Sequence, residues 1–217
     1  MSPLWLHETD QKKVRLLESA LKEFSDKGYE QTSTNQIVKQ AGLSKGMLFH
    51  FFQNKKSLFL HLAECCVQYF LEYMDQHKPS LSHEPFQRLL DIHQIKMGLF
   101  AAEPSIYKMS IISFIDRPVE LTEDILRLEQ WMQQKYLELY LNDLDLTGIR
   151  TDIAFEKMLG ITLDSFEALT RTHVIAHQSS VDQGLSSLQT LLNNLTEYIE
   201  VLKYGLYENW KVNSPTN

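Results

Sequence analysis

The chain has 217 residues, of which 43% are hydrophobic, and its formal net charge is −7. That length suffices for a substantial core, and the few glycines (8) and prolines (6) favour an all-α chain. There is no apolar run of about 18 residues and no basic leader followed by an apolar stretch, which argues against a membrane span and a secretion signal. We therefore expect a cytoplasmic protein with no membrane partner.

The charges are unevenly distributed along the chain. Residues 1–60 contain nine Lys or Arg and six Asp or Glu, a balance of +3, whereas residues 61–217 contain twelve and twenty-two, a balance of −10. No acidic residue lies between residues 31 and 60, which include four lysines: Lys39, Lys45, Lys55 and Lys56. Phosphate attraction is therefore expected at one end of the molecule, and the acidic remainder repels DNA.

Within this basic end, the segment from Ser33 to Leu58 predicts two short helices joined by a tight turn. Ser33 can cap the first helix, and Gln36, three residues later, can complete a capping box. Gly42 supplies the left-handed conformation that ends this helix. Ser44 can then cap the second helix.

Helical periodicity divides the second helix into two faces. The inward positions are Met47, Leu48 and Phe51. The outward positions are Lys45, Gly46, Phe49 and His50. An exposed face of this kind, preceded by a helix and a glycine turn, is typical of a recognition helix in the major groove.

Residues 10–60 resemble the helix-turn-helix of the TetR family of bacterial transcriptional repressors. The resemblance rests on the segment from Ser33 to Leu58 and on the preceding helix, which contains ALKEFSDKGYEQTS. Two positions depart from the family pattern: Phe49 replaces the usual tyrosine, with loss of a phosphate-contacting hydroxyl, and Val38 replaces the usual alanine. The family is not enzymatic, and its members bind DNA as dimers.

The resemblance implies an N-terminal three-helix helix-turn-helix domain (1–54) followed by a larger helical effector-binding and dimerisation domain (55–217). The implied partners are double-stranded DNA with a palindromic operator, a second copy of the chain, and a small-molecule effector of unknown identity. The resemblance favours repression released by that effector. The residues expected to contact DNA are Thr32, Ser33, Thr34, Ser44, Lys45, Gly46, Phe49, His50 and Lys55; Thr32, Ser33 and Lys55 are assigned to phosphates.

Beyond the basic end, proline and glycine breaks predict a succession of further helices. Their approximate ranges are 55–77, a helix ending near 102, 105–115, 120–142, 152–173 and 181–207. We find no internal repeat.

The last predicted helix carries an apolar seam at alternating steps of three and four residues, from Leu185 to Leu206. In the resembled family the last two helices form a four-helix dimer interface, and the seam suits that role. The alternative is that it packs within one subunit. The residues expected at the interface are Phe155, Leu159, Phe166, Leu188, Leu192, Leu195, Ile199 and Leu202.

The resemblance also implies an effector cavity among the middle helices. The residues expected to line it are His93, Met97, Phe100, Tyr107, Phe114, Trp131 and Phe166. Each is more commonly a plain core residue, because aromatic and methionine side chains at helical spacing are ordinary core. No Arg or Lys cluster indicates an anionic ligand, so an apolar or aromatic effector is preferred.

Other chemistry has weaker support in the sequence. His173 and His177 have metal-ligand spacing, but no third ligand accompanies them, so we predict no metal site and no cofactor. No nucleophile elbow or phosphate loop indicates an enzyme. Adjacent Cys65 and Cys66 predict buried thiols rather than a disulfide, with a redox sensor as the alternative.

A helical protein-binding adaptor without DNA or ligand function is the alternative class of protein. In that case the helix-turn-helix would serve only as a packing unit. Such an adaptor has no need for exposed basic residues on the second helix and at residues 55 and 56.

Overall fold

The structure, a computed structural model, describes residues 8–177 and 186–204, and every regular element among them is helical. The helices are α1 (Gln11–Gln31), α2 (Thr34–Ala41), α3 (Lys45–Phe52), α4 (Lys55–His77), α5 (Pro85–Ala102), α6 (Pro104–Ser110), α7 (Thr122–Leu141), α8 (Phe155–His177) and α9 (Leu188–Tyr204). A π-helical turn follows α6 at Ile111–Ile115. None of the described helices is long and apolar enough to cross a membrane.

The observed helix bounds agree closely with the predicted ones. Helix α4 covers the predicted range. Pro104 stands at the first position of α6, where a backbone N–H would have no acceptor within the helix. The helix predicted to end near residue 173 continues to His177. The last predicted helix is seen as α9, while residues 181–185 and 205–207 of the predicted range lie outside the described residues.

Helices α1, α2 and α3 form the head of the molecule around a shared apolar interior. Phe24 from α1, Ile37 from α2 and Leu48 from α3 are each 0% exposed. Full burial of one such side chain stabilises a fold by roughly 1.5–3 kcal/mol relative to exposure.

Two glycines with positive φ shape this head. Gly28 (φ 72°) interrupts α1, so the last residues of that helix turn away from its axis. Gly42 (φ 65°) ends α2 in the left-handed conformation, as predicted, and the N–H of Leu43 donates to the carbonyl of Val38 at 2.9 Å. A side chain with a Cβ would be strained at either position.

The described chain divides into two compact units. The first contains the described residues up to Pro79 together with Lys96–Asn142, and the second contains Ser80–Ile95 and the described residues from Asp143 onward. In the first unit, α1 packs on α2 and α6, and α4 packs on α7. In the second, α8 packs on α9. The functional division at residues 54 and 55 is a different one and stays a prediction.

Gln53, directly after α3, has a strained backbone. Its φ of 59° with ψ of −47° is a conformation that residues with a Cβ rarely adopt. We expect Gln53→Gly to raise the free energy of unfolding by about 1 kcal/mol, because glycine adopts this conformation without the steric cost. Urea unfolding followed by circular dichroism measures the change, with Gln53→Ala as the control. Equal stability of the glycine and alanine variants would contradict the assignment of strain.

Candidate nucleic-acid interface

Helix α3 is anchored to the head by two buried side chains. Leu48 is 0% exposed and Phe52 is 6% exposed. Met47 and Phe51 were both predicted to face inward, but they are only half-buried. The inward prediction holds for Leu48, and the buried face also includes Phe52, four residues later, which the sequence analysis did not assign.

The opposite face of α3 carries the four residues predicted to point outward, and all four are exposed: Lys45, Gly46, Phe49 and His50. The ammonium of Lys45 lies 5.7 Å from the centre of the Phe49 ring. This face presents a positive charge beside an apolar edge, which suits contact with phosphates and with thymine methyl groups.

Gly46 is not required by packing within the protein. A Cβ at this position would meet only the Ser44 Oγ, at an ordinary contact distance of 3.8 Å. Glycine in a helix costs up to about 1 kcal/mol relative to alanine. The packing of the head therefore leaves room for a side chain at this position.

Ser33 and Ser44 occupy the N-cap positions of α2 and α3, as predicted, but neither side chain makes a capping hydrogen bond. The predicted capping box with Gln36 is therefore wrong. Both serines are exposed, and Thr34 next to Ser33 is half-buried. Helix N-termini without a capping side chain retain N–H donors that suit phosphate oxygens.

The position of Thr32 contradicts the prediction that this residue contacts a DNA phosphate. Its side chain is 5% exposed, and its hydroxyl donates to the carbonyl of Gly28 at 2.6 Å. Its backbone N–H donates to the carbonyl of Tyr29 at 3.3 Å. Thr32 closes the kinked end of α1, and neither donor is available to DNA.

Lys55 is held at the start of α4 by the end of α1. Its ammonium donates to the carbonyl of Glu30 at 3.1 Å and lies 4.6 Å from the centre of the Tyr29 ring. The Tyr29 hydroxyl donates to the carboxylate of Glu120, and burial together with this hydrogen bond raises the pKa of Tyr29. Lys55 is therefore a half-buried, positioned cation rather than the freely exposed one we predicted.

Lys56 also differs from the expected exposed lysine. It is half-buried, and its ammonium lies 2.8 Å from the carboxylate of Asp124 on α7. The guanidinium of Arg127 hydrogen-bonds the other oxygen of Asp124. The hydrogen bond from Lys56 is the main reason that the pKa of Asp124 is lowered. One carboxylate thus pairs with two cations.

Glu23 is a buried charge that the sequence analysis missed. It is 3% exposed, and its carboxylate accepts hydrogen bonds from Lys27 at 2.7 Å and from the amide of Gln40 at 3.4 Å. Since Gln40 is near the end of α2, Glu23 ties that helix to α1. The only signal in the sequence was Lys27, four residues later, and a Glu–Lys pair at this spacing is common on solvent-facing helices.

The residues predicted to line one effector cavity are divided between the two units. In the first unit the rings of Phe100 and Tyr107 lie 5.3 Å apart, Met97 is buried and Phe114 is half-buried. In the second unit the rings of His93 and Phe166 lie 5.0 Å apart, and both side chains are buried. Their role as ligand contacts stays a prediction.

The remaining cavity residue, Trp131, is 41% exposed and lies on a surface groove of the first unit. This groove runs between α4 and α7 and has a volume of about 430 Å³. It is lined by Leu60, Glu64, Gln68, Asp124, Arg127, Leu128 and Trp131. This open groove with a mixed polar and apolar lining differs from the enclosed apolar cavity that the sequence led us to expect.

Four of the residues predicted at a dimer interface are buried inside one protomer: Phe166, Leu188, Leu195 and Ile199. Leu195 is 0% exposed within one protomer, so it cannot also face a partner. For these four residues the intramolecular alternative holds. The other four are half-buried and stay predictions: Phe155, Leu159, Leu192 and Leu202.

The two cysteines are unpaired, and burial raises the pKa of both thiols, to about 11 for Cys65. A protonated thiol is a poor nucleophile, which disfavours redox sensing. His173 is buried, and its Nε2 lies 2.8 Å from the Ser187 hydroxyl. Among residues 8–177 and 186–204 no cluster of three metal-ligating side chains occurs.

Comparison with known proteins finds relatives of the region that forms the head. The model of a family described as bacterial regulatory proteins, tetR family, matches residues 16–62. The uncharacterized HTH-type transcriptional regulator YhgD of Bacillus subtilis is 31% identical over 131 residues, which cover 51% of this chain and 68% of YhgD. The chain belongs to the TetR family. The family is one of bacterial regulatory proteins, and YhgD is itself described as a transcriptional regulator of helix-turn-helix type.

Other relatives match more narrowly. IcaR of Staphylococcus aureus, the negative transcriptional regulator of the biofilm operon icaADBC, is 30% identical over 80 residues, or 36% of this chain. The chain spans 43% of the length of IcaR in that match. Among solved structures, FadR of Bacillus subtilis in complex with stearoyl-CoA has a TM-score of 0.63 at 17% identity, covering 90% of this chain and 100% of FadR.

MbdR of Azoarcus sp. CIB has a TM-score of 0.62 at 19% identity, covering 91% of this chain and 100% of MbdR. At such identities the likeness to FadR and MbdR shows the fold alone. It confirms the all-α fold, with an N-terminal helix-turn-helix domain and a helical C-terminal domain.

Substitution of Gly46 separates stability from DNA binding. We expect Gly46→Ala to stabilise the fold by up to about 1 kcal/mol, because alanine favours the helix and no atom obstructs its Cβ. The same variant should bind operator DNA more weakly, since the methyl group occupies the space left for DNA. Thermal unfolding and fluorescence anisotropy measure the two effects. Tighter or unchanged DNA binding would contradict the role of Gly46.

Lys45→Ala should weaken DNA binding without loss of stability, because its ammonium is exposed and has no acidic partner in the described parts of the chain. A base contact would cost about 1–3 kcal/mol and relax specificity at one position. A phosphate contact would weaken all sequences alike and reduce the salt slope by about one unit. Lys22→Ala, at an exposed lysine of α1 outside the interface, is the control. Unaltered affinity of Lys45→Ala would refute the placement of α3 in the groove.

Proposed function

We propose that this protein is a homodimeric repressor that binds a palindromic operator and is released from it by a small-molecule effector. The observation that carries the proposal is the exposed face of α3, where Gly46 lacks a packing role and no acidic residue is near in sequence. The residues proposed to contact DNA are Ser33, Thr34, Ser44, Lys45, Gly46, Phe49, His50 and Lys55. Thr32 is excluded by its burial.

Phosphate contacts are assigned to the residues at helix N-termini and to Lys55. Ser33 and Ser44 lie where the backbone donors of α2 and α3 are uncapped. Lys55 supplies a cation whose position is fixed by Tyr29 and Glu30. Base contacts are assigned to the exposed side chains of α3, which carry the chemistry needed for direct readout.

Dimerisation is proposed because a single short recognition helix reads few bases, whereas two related heads read two half-sites. The last two helices keep large apolar side chains exposed in one protomer: Ile161, Ile175, Tyr198, Val201 and Tyr204. Ile161 and Ile175 are fourteen residues apart on α8, two heptads along one face. We place the dimer contact on these residues rather than on the buried seam.

Release by an effector requires that the body of the protein be coupled to the head. Three polar contacts within the first unit support such coupling: Tyr29 with Glu120, Lys56 with Asp124, and Lys108 with Asp26 at 3.4 Å. Each joins the head or the start of α4 to the segment from α6 to α7. A ligand that shifts this segment would therefore move the recognition helix and bias the operator-binding conformation.

The dimer contact is tested by charge substitution at Ile175, which is 47% exposed in one protomer. We expect Ile175→Glu to give a folded monomer, since an unpaired carboxylate buried at a two-fold interface costs several kcal/mol. Sedimentation velocity measures the mass and circular dichroism measures the helix content.

Two variants control this experiment. Leu126→Glu, at a leucine of α7 that is 40% exposed, should leave the dimer intact. Leu195→Glu should lose helix content, because that side chain belongs to the core of the protomer. A dimeric Ile175→Glu variant with unchanged operator affinity would place the interface elsewhere.

The function as a whole is tested by selecting bound DNA from a random pool. We expect an enriched palindrome with half-sites about 34–36 Å apart, or a multiple of that spacing. Binding should weaken steeply as salt rises, because phosphate contacts release counterions. A helical adaptor would enrich no sequence. That outcome would overturn the proposed function.

A further inference from the structure

The groove between α4 and α7 has walls made of regular stripes of side chains. Leu60, Glu64 and Gln68 occupy every fourth position of α4, so they lie along one face of that helix. Arg127 and Trp131 have the same spacing on α7. The stripe on α4 covers eight residues, or about 12 Å at the rise of an α-helix. This length and a volume of about 430 Å³ suit a small organic molecule.

The charges around Asp124 in this groove are already paired. The ammonium of Lys56 lies 2.8 Å from one oxygen of Asp124, and the guanidinium of Arg127 hydrogen-bonds the other oxygen. Arg127 is the only cation among the residues that line the groove. An anionic ligand would therefore have to compete with Asp124 for this guanidinium.

Glu64, by contrast, brings an unpaired charge to the groove. Its side chain is exposed and has no hydrogen bond or ion pair among the residues that the structure describes. One helical turn later, the amide nitrogen of Gln68 donates to Glu72 at 3.0 Å, while the amide oxygen of Gln68 accepts from no described donor. The wall formed by α4 thus presents acceptors, which a group that only donates, such as an ammonium ion, would satisfy.

Trp131 supplies an aromatic surface on the opposite wall. Its side chain is 41% exposed, and within the described ranges its ring has no aromatic or cationic neighbour. Arg127, one turn earlier, is engaged by Asp124 instead. Among aromatic side chains, the indole ring attracts cations most strongly. Leu60 and Leu128 are half-buried in the same groove and extend its apolar surface.

We propose that this groove binds an organic ammonium ion, whose charged group pairs with Glu64 and whose aromatic body lies against Trp131. A free carboxylate and a free indole face both favour a cation, and neither feature favours an anion. The proposal rests on the proposed function, because it gives the effector a chemical class and a place. It keeps Trp131 as a ligand contact, as the sequence predicted, but replaces the expected apolar ligand with a charged one.

The salt bridge between Lys56 and Asp124 connects the groove to the head. Lys56 is the second residue of α4, which begins three residues after α3 ends, and Asp124 itself lines the groove. A ligand between α4 and α7 therefore contacts the residue that holds the start of α4. A change in the spacing of these two helices would reach the recognition helix through this contact.

The experiment uses three probes that share one naphthalene ring: 2-(2-naphthyl)ethylammonium, the neutral 2-(2-naphthyl)ethanol and the anion 2-naphthylacetate. The full chain is labelled with fluorotryptophan, so that its three tryptophans give three fluorine NMR signals. The signal of Trp131 is the one that disappears in Trp131→Phe. We expect the ammonium ion to shift this signal saturably, the alcohol to bind about fivefold more weakly, and the anion to bind more weakly still.

Three variants test the residues that carry the proposal, with calorimetry as the measure of affinity. Glu64→Gln should weaken binding of the ammonium ion about fivefold and abolish its advantage over the alcohol. Trp131→Leu, which keeps an apolar side chain but loses the ring, should weaken it about fivefold as well. Glu123→Gln removes an exposed acid of α7 that does not line the groove, so it should bind like the native protein. Circular dichroism checks that each variant is folded.

The proposal is overturned if the alcohol or the anion binds as well as the ammonium ion, or if Glu64→Gln keeps the preference for the cation. Absence of a shift in the Trp131 signal at millimolar ammonium ion would also overturn it.

Operator binding by the same preparations is measured separately. Native protein that selects a palindrome but does not bind the ammonium ion would refute the ligand class and leave the proposed regulator intact. Protein that binds the ammonium ion through Glu64 but selects no DNA would support the site and refute the regulator. Ammonium binding that leaves operator affinity unchanged would overturn the role of the ligand as effector.

Discussion

The rings of Phe24, Tyr29 and Phe59 hold α1 against α4, and the rest of the first unit depends on this contact. Phe59 meets both other rings edge-on, at 5.1 Å from Phe24 and 5.0 Å from Tyr29, and all three side chains are buried. Such geometry contributes about 0.5–1.5 kcal/mol per pair beyond the burial of apolar area. Gly28 allows the chain to turn so that Tyr29 enters the cluster while its hydroxyl reaches Glu120. Head and α4 are thus joined by one apolar core.

This arrangement also decides which lysines of the basic end are free to attract DNA. Lys39 and Lys45 are exposed and have no acidic partner among the described residues. Lys55 and Lys56 are engaged by the end of α1 and by α7. A count of positive charges in the sequence therefore overstates the positive electrostatic potential near the exposed face of α3. Lys39 and Lys45 provide the long-range part of that potential.

Local features of the fold could be predicted from the sequence, because they depend on neighbouring residues. Gly42, the bounds of α4 and the exposed face of α3 follow from helix stops and periodicity. The burial of Thr32 and of Leu195 could not be predicted, because each depends on which helix lies opposite. Periodicity identifies an apolar face but does not say whether a neighbouring helix or a second subunit covers it.

The same limit applies to the proposed sites. The burial of Glu23 was missed, because its partner Gln40 comes from another helix and a linear pattern does not reveal that pairing. The DNA-contacting residues were easier to propose, because most of them lie within one short segment of the chain.

The sharing of Asp124 has a consequence for how the molecule could meet a phosphate. Asp124 already accepts from Arg127 as well as from Lys56, and Arg127 is 67% exposed. If Lys56 turns toward DNA, Arg127 remains on the carboxylate and keeps it neutralised. The lysine can therefore exchange one anion for another without stranding a charge on α7. In that case Asp124 would keep one cationic partner, Arg127, after the salt bridge with Lys56 is broken.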